Sequence, residues 1–227
     1  MPPGTPDSGV YHYRLNGEPV GVEERWQRHP QGSGACRISS SRSAPGVEIV
    51  VDALVAGAQV TQFEVVWRSD GQNELRSSYQ LLADRVVVNR TVAGEQGQSE
   101  EVVFPAEGVA PLLFPLMRIF TGPLIASLLE QGGRGVVVLP FIGNPALTSR
   151  LLLPVSSERQ ARVLETDAEL ELAGASVRCR RCEYLGDQYG PGTEFWLAED
   201  KLLLRYQWRQ SPQQHWDIWL QRDCGSE

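Results

Sequence analysis

VEIVVDALVAGAQVTQFEVVWR, residues 47–68, is the stretch whose reading decides the fold. Val47–Val55 and Val60–Arg68 are dense in β-branched and aromatic side chains, and Gly57-Ala58 between them has the small residues of a tight turn. The segment reads as a β-hairpin.

Working outward, the same unit recurs. Asp70-Gly71 turns the chain into Glu74–Leu82, Ala83-Asp84 into Arg85–Val92, and Gly94 to Gly97 into Ser99–Phe104. On the other side, Cys36–Ser41 follows the Gly32-Ser33-Gly34 turn, and Tyr11–Leu15 is joined to Pro19–Gln27 by Asn16-Gly17. Asn-Gly is the strongest short hairpin signal, because both residues tolerate positive φ. Strands recurring at roughly ten-residue intervals, with a turn between each pair, indicate an antiparallel meander and not βαβ units.

The pattern changes at Pro111. Leu112, Leu113, Leu116, Ile119, Phe120, Leu124, Ile125, Leu128 and Leu129 recur at helical spacing up to Gly132-Gly133. Pro115 and Gly122-Pro123 are expected to divide this stretch into two short helices. It is apolar nearly all round, so it must be covered on several sides. The concave face of a curved sheet would do that.

Strands then resume at Val136–Phe141 and Leu151–Val155. A strict alternation follows, with Leu164, Thr166, Ala168, Leu170 and Leu172 on one face and Glu165, Asp167, Glu169 and Glu171 on the other. Val177–Leu185, Glu194–Leu197, Leu202–Arg209 and His215–Arg222 complete the strands of this reading. The expected architecture is mainly β: a single curved antiparallel sheet, a half-barrel of meander topology, with a short helical insert in its concave face. Residues 1–9, rich in Pro, Gly and Ser, are expected to be disordered. Residues 10–223 form one domain with the insert at about 111–131.

Composition narrows the function. The 227 residues are 41% hydrophobic and 22% charged, as in a globular chain. A net charge of −7 with no basic stripe argues against nucleic-acid binding. Lys201 is the only lysine, an arginine bias that looks bacterial. The apolar stretch Leu112–Leu129 is interrupted by Pro115, Arg118, Gly122 and Pro123 and makes a poor transmembrane segment. Met1–Pro6 lacks the features of a signal peptide, so the chain reads as cytoplasmic, or as periplasmic or extracellular if a leader has been removed.

Motifs with chemistry are few. Cys179-Arg180-Arg181-Cys182 lies in an expected strand, where residues three apart face opposite ways, and no second such pair accompanies it. Cys36 and Cys224 stand alone. The acidic row Glu165–Glu171 reads as a solvated strand face. His12, His29 and His215 belong to no catalytic motif, and no phosphate-binding loop or nucleophile elbow occurs. No metal, cofactor or catalytic residue is expected.

Two stretches carry a resemblance. Tyr11-His12-Tyr13-Arg14-Leu15-Asn16-Gly17-Glu18-Pro19-Val20-Gly21 is similar to the opening of uncharacterised bacterial β proteins that share the half-barrel of the lipoprotein carrier LolA. Phe195-Trp196-Leu197-Ala198-Glu199-Asp200-Lys201-Leu202-Leu203-Leu204-Arg205 resembles their closing hairpin. The resemblance implies a curved sheet wrapped around helices and the handling of lipids or lipoproteins.

The expected function is therefore binding or carriage of an apolar ligand, such as a lipid, an acyl chain or a lipoprotein anchor. Its cavity would lie between sheet and helices, lined by Trp67, Tyr79, Phe104, Leu116, Phe120, Leu124, Phe141, Trp196, Tyr206 and Trp208. A β-rich enzyme or catalytic chaperone using the same cavity would need an inward titratable group such as His215 or Glu194. A filled core would suit a protein-interaction module. The oligomeric state stays open.

Overall fold

Asn16 and Gly17, at φ of 53° and 88°, turn β1 (Asp7–Leu15) directly into β2 (Glu18–Gly32), as the Asn-Gly signal requires. The computed structural model describes residues 7–32, 34–71, 74–93, 97–103, 110–144, 149–172 and 174–223. Its first half continues as β3 (Ala35–Ala44), β4 (Val47–Ala56), β5 (Gln59–Ser69), β6 (Leu75–Leu81), β7 (Arg85–Val92) and β8 (Gln98–Val103). After the insert come β10 (Arg134–Pro140), β11 (Pro154–Leu172), β12 (Ala175–Leu185), β13 (Glu194–Leu197), β14 (Leu203–Ser211) and β15 (Gln214–Arg222).

Pairing follows the chain. The sheet runs from β8 back to β1, crosses to β15, and runs back to β10 and β9 (Leu112–Leu113). The two chain ends therefore meet at its centre, with Tyr11 opposite Leu220 and Tyr13 opposite Ile218. All pairs are antiparallel except β9 with β10. The sheet is curved, and β8 and β9 are its two free ends among the described residues.

The insert is helical over a shorter span than its periodicity predicts. Leu112-Leu113 is a strand, Leu116 takes a φ of 69°, and only Arg118–Phe120 (a 3-10 turn) and α1 (Thr121–Glu130) are helical. Gly122-Pro123 does not break the helix. Pro123 sits in the first turn of α1, where its missing N–H would have had no partner in any case. The stop at Gly132-Gly133 is as expected: Gly133 N–H donates to the Leu128 carbonyl at 2.8 Å and Gly132 N–H to that of Leu129 at 3.2 Å, with both glycines at positive φ.

The helix packs on β5, β9, β10 and β11, which belong to the two opposite arms of the sheet, and β9 itself packs on β5. The sheet thus wraps the insert, and inward residues from both arms join it in one apolar core. One inward row is Tyr11, Glu24, Arg42, Ile49, Trp67 and Leu75 across β1 to β6. Another is Cys182, Phe195, Tyr206, Ile218 and Tyr13 across β12 to β1. On the outer face arginines bridge strands: Arg68 contacts Glu48 and Glu74, each at 2.8 Å. Such exposed pairs contribute about 1 kcal/mol or less apiece.

Several expectations need correcting. Asp7, Ser8 and Gly9, assigned to a disordered end, pair with Arg28, Gln27 and Trp26. Leu151 and Leu152 are not in a strand; they form a buried turn with Leu152 at a φ of 62°. β11 then runs without a break to Leu172. Its alternation holds from Ala168 onward, but Val163 and Leu164 are exposed, because the ladder to β12 slips on both sides of Glu165. Cys179 and Cys182 are both buried.

Candidate ligand site

The ten residues nominated as a cavity wall are mostly the filling. Trp67, Tyr79, Leu116, Phe120, Leu124, Tyr206 and Trp208 are buried in the common core. Tyr79 stacks on Phe63 at 4.4 Å and donates its hydroxyl to the Leu152 carbonyl at 2.7 Å. Tyr206 stacks on Phe195 at 5.0 Å. Phe120, Met117, Ile125 and Leu128 occupy the space between the arms, so the insert plugs the concave face. Phe141 is half-buried under the Arg150 guanidinium at 4.9 Å. Trp196 is half-buried on the outer face, 6.0 Å from the Arg205 guanidinium. Phe104 lies outside the described residues, as does Cys224.

Neither titratable group suggested for an enzyme points into the core. His215 is exposed, its backbone N–H bonded to the Asn16 side chain at 2.9 Å, and Glu194 pairs with Arg181 at 3.5 Å. Cys36, Cys179 and Cys182 are free thiols, and burial pushes the Cys182 thiol up to about 11. That is the reverse of activation.

Space does remain between helix and sheet, at the C-terminal end of α1. A cleft of about 630 Å³ is walled by Ala126, Leu129 and Glu130 of α1, Thr166 and Asp167 of β11, Arg178–Arg180 of β12, and Leu197–Glu199 with Lys201 at the β13–β14 turn. Two local features make it. β11 runs on past Gln160, where its pairing with β10 ends, so Thr166 and Asp167 lie beyond β10, and Gly122 lets α1 approach the backbone of Lys201. Leu129, Ala126, Leu197 and Ala198 supply apolar wall. The rim is charged but largely neutralised: Lys201 pairs with Glu130 at 2.8 Å, and Arg178 with Asp167. Arg180 is exposed there, and its side chain makes no ion pair or hydrogen bond with the described residues.

A second polar grouping is buried in the core. Glu24 is fully buried on the inner face of β2. Its Oε1 accepts the backbone N–H of Arg118, capping the first turn of the insert, and its Oε2 accepts the Tyr13 hydroxyl at 3.0 Å. Arg42 lies 4.0 Å away. Burial raises the carboxyl above the ordinary carboxylate range, against the opposing pull of Arg42 and Arg118. Burial, and then the nearby Glu24 charge, push the Tyr13 hydroxyl up to about 12.

The raised value has a consequence for stability. Below the ordinary carboxylate pKa, near 4.5, the group is protonated folded and unfolded alike. As pH rises above that, the unfolded chain releases its proton more readily, so this group's contribution to stability falls. The fall ends once pH exceeds the raised folded value. Glu24→Gln should abolish this component, seen as a flatter dependence of the urea midpoint on pH above about 4.5.

Sequence reasoning missed Arg180, read only as the interior of a CxxC, and Glu24, read only as part of a returning strand. The available signal for the buried centre was Arg118, a lone charge in an apolar insert.

No protein-family model matches the chain, and no curated protein does. Among solved structures, the chain is similar to a β-barrel-like protein of a domain of unknown function, DUF1849, from Brucella abortus. The two are 12% identical, with 95% of each chain covered and a TM-score of 0.49.

Proposed function

We propose that this protein binds a small amphipathic ligand, an acyl chain or lipid with an acidic head, in the cleft beside the end of α1. The observation that carries this reading is the cleft itself, about 630 Å³ between helix and sheet, within the range of small-molecule sites. The chain of the ligand would lie on Leu129, Ala126, Leu197 and Ala198, and its head would meet Arg180. About six buried methylenes would contribute roughly 5 kcal/mol, which makes such a site a reversible carrier and not a permanent store.

The test is native mass spectrometry of protein from its own host, with displacement of a fluorescent fatty-acid probe. Co-purified lipid and saturable probe binding are expected. Ala198→Trp, which fills the cleft, should abolish probe binding, and Arg180→Glu should weaken it at least tenfold. Both variants should keep the wild-type circular dichroism. No bound lipid together with no probe binding, or probe binding unchanged by Ala198→Trp, would overturn the reading. Exposed Val163 and Leu164 on the neighbouring stretch of β11 favour a second reading, a protein-interaction surface. Substituting both with serine would leave lipid binding unchanged if that is their role.

A further inference from the structure

Arg118 is held in an unusual way for a guanidinium in a protein core. Its Nε donates to the Tyr13 hydroxyl at 3.3 Å and its Nη1 to the Tyr189 hydroxyl at 3.0 Å, and the group lies 5.0 Å from the centre of the Tyr206 ring. Among the described residues its guanidinium has no carboxylate partner, because Glu24 is engaged by the Arg118 backbone and not by its side chain. Arg42, the cross-strand neighbour of Glu24, has that carboxylate as its only ionic contact among the described residues, at the 4.0 Å limit. Two guanidiniums therefore stand near one carboxylate, and only that of Arg42 contacts it.

Positive charge in such a place needs a counter-charge. Removed from water, an uncompensated guanidinium is costly, and phenol oxygens and ring faces offset only part of the cost. The centre is reached from outside: Arg118 and Tyr189 are only half-buried, and the Arg42 side chain is 14% exposed. Tyr189 stands on the loop that follows β12. That loop is fixed from below by Arg159, which donates to the Gly186 carbonyl and to Asp187, and by Glu183, which accepts the Gly192 N–H at 3.2 Å. The hydroxyl that meets Arg118 is thus held in place before any ligand arrives.

We propose that Arg118 and Arg42 form a receptor for the carboxylate of a small organic acid at this partly exposed edge of the core. Forked donors suit a planar, two-oxygen anion better than a point charge, and the surrounding Tyr13, Tyr189 and Tyr206 rings would exclude water from the pair. A bound carboxylate would balance the second guanidinium, with Glu24 balancing the first. This site is separate from the cleft at the end of α1 and does not depend on it.

The experiment is ligand-observed NMR titration of the full chain with benzoate, with benzamide as its uncharged isostere and inorganic phosphate as a competitor. Benzoate should bind at least tenfold more tightly than benzamide, and phosphate should not displace it at equal concentration. Arg42→Gln should weaken benzoate at least tenfold, whereas Arg180→Gln, which alters only the cleft, should leave it unchanged. Equal binding of benzoate and benzamide, no binding of either, displacement by phosphate, or loss on Arg180→Gln in place of Arg42→Gln would each overturn the proposal. The comparison of benzoate with benzamide uses the wild-type protein, so it stands even if Arg42→Gln fails to fold.

Discussion

Gly122→Ala is expected to be the most damaging single-methyl change in this protein, lowering stability by about 3 kcal/mol or more. A Cβ on Gly122 would stand 2.0 Å from the carbonyl oxygen of Lys201 and 3.0 Å from the backbone nitrogen of Leu203. Both obstacles are backbone, so no rotamer change can relieve them. Either α1 must move away from the β13–β14 turn, or the turn, whose Lys201 is already at a φ of 67°, must distort further. Moving α1 would also lift Phe120, Ile125 and Leu128 out of their packing. For a chain of this size such a loss lowers the thermal midpoint by about 6 °C or more. Gly190→Ala is the control. Nothing stands within 4 Å of a Cβ there, and the expected change is within about 0.5 kcal/mol. Equal midpoints for the two variants would show that α1 does not rest on this turn.

The second large effect is expected from Phe120→Ala, at about 3–5 kcal/mol. Phe120 is 1% exposed and belongs to the apolar core that joins the insert to the sheet. If it lined an open ligand cavity, truncation would enlarge the cavity at little cost. In a filled core it leaves a void that the curved sheet cannot close, because the sheet's hydrogen bonds fix its radius. Trp196→Ala gives the contrast. That ring is half-buried on the outer face, and its loss should cost only about 1 kcal/mol. Urea denaturation of the two variants separates the cases, and a smaller loss for Phe120→Ala than for Trp196→Ala would reinstate the open cavity.

These two positions also show how far the sequence could be read. Gly122 was legible as a helix breaker, since glycine and proline together normally end a helix. Its actual task, a close approach to a backbone 79 residues further along the chain, leaves no local trace. Phe120 was legible as an inward apolar residue, but whether inward residues line a space or fill it depends on the volume enclosed by strands far apart in sequence. Arg180 illustrates the same limit. On a regular strand its surroundings would follow from alternation, but the slipped register opposite β12 and the nearby end of α1 make it a cleft residue.

By itself, then, the sequence determined the local units: the Asn16-Gly17 hairpin, the repeated strand and turn through Val92, the apolar insert and its glycine stop. Each rests on φ preference or on side-chain period, both of which act within a few residues. Only the tertiary structure decided that the chain ends pair at the centre of the sheet and that the insert plugs the concave face. It alone brought Glu24, Arg42 and Arg118 to one point and left open the cleft beside α1. Those outcomes depend on how the curvature of fifteen strands closes around a fixed volume of side chains, a quantity that no short stretch of sequence contains.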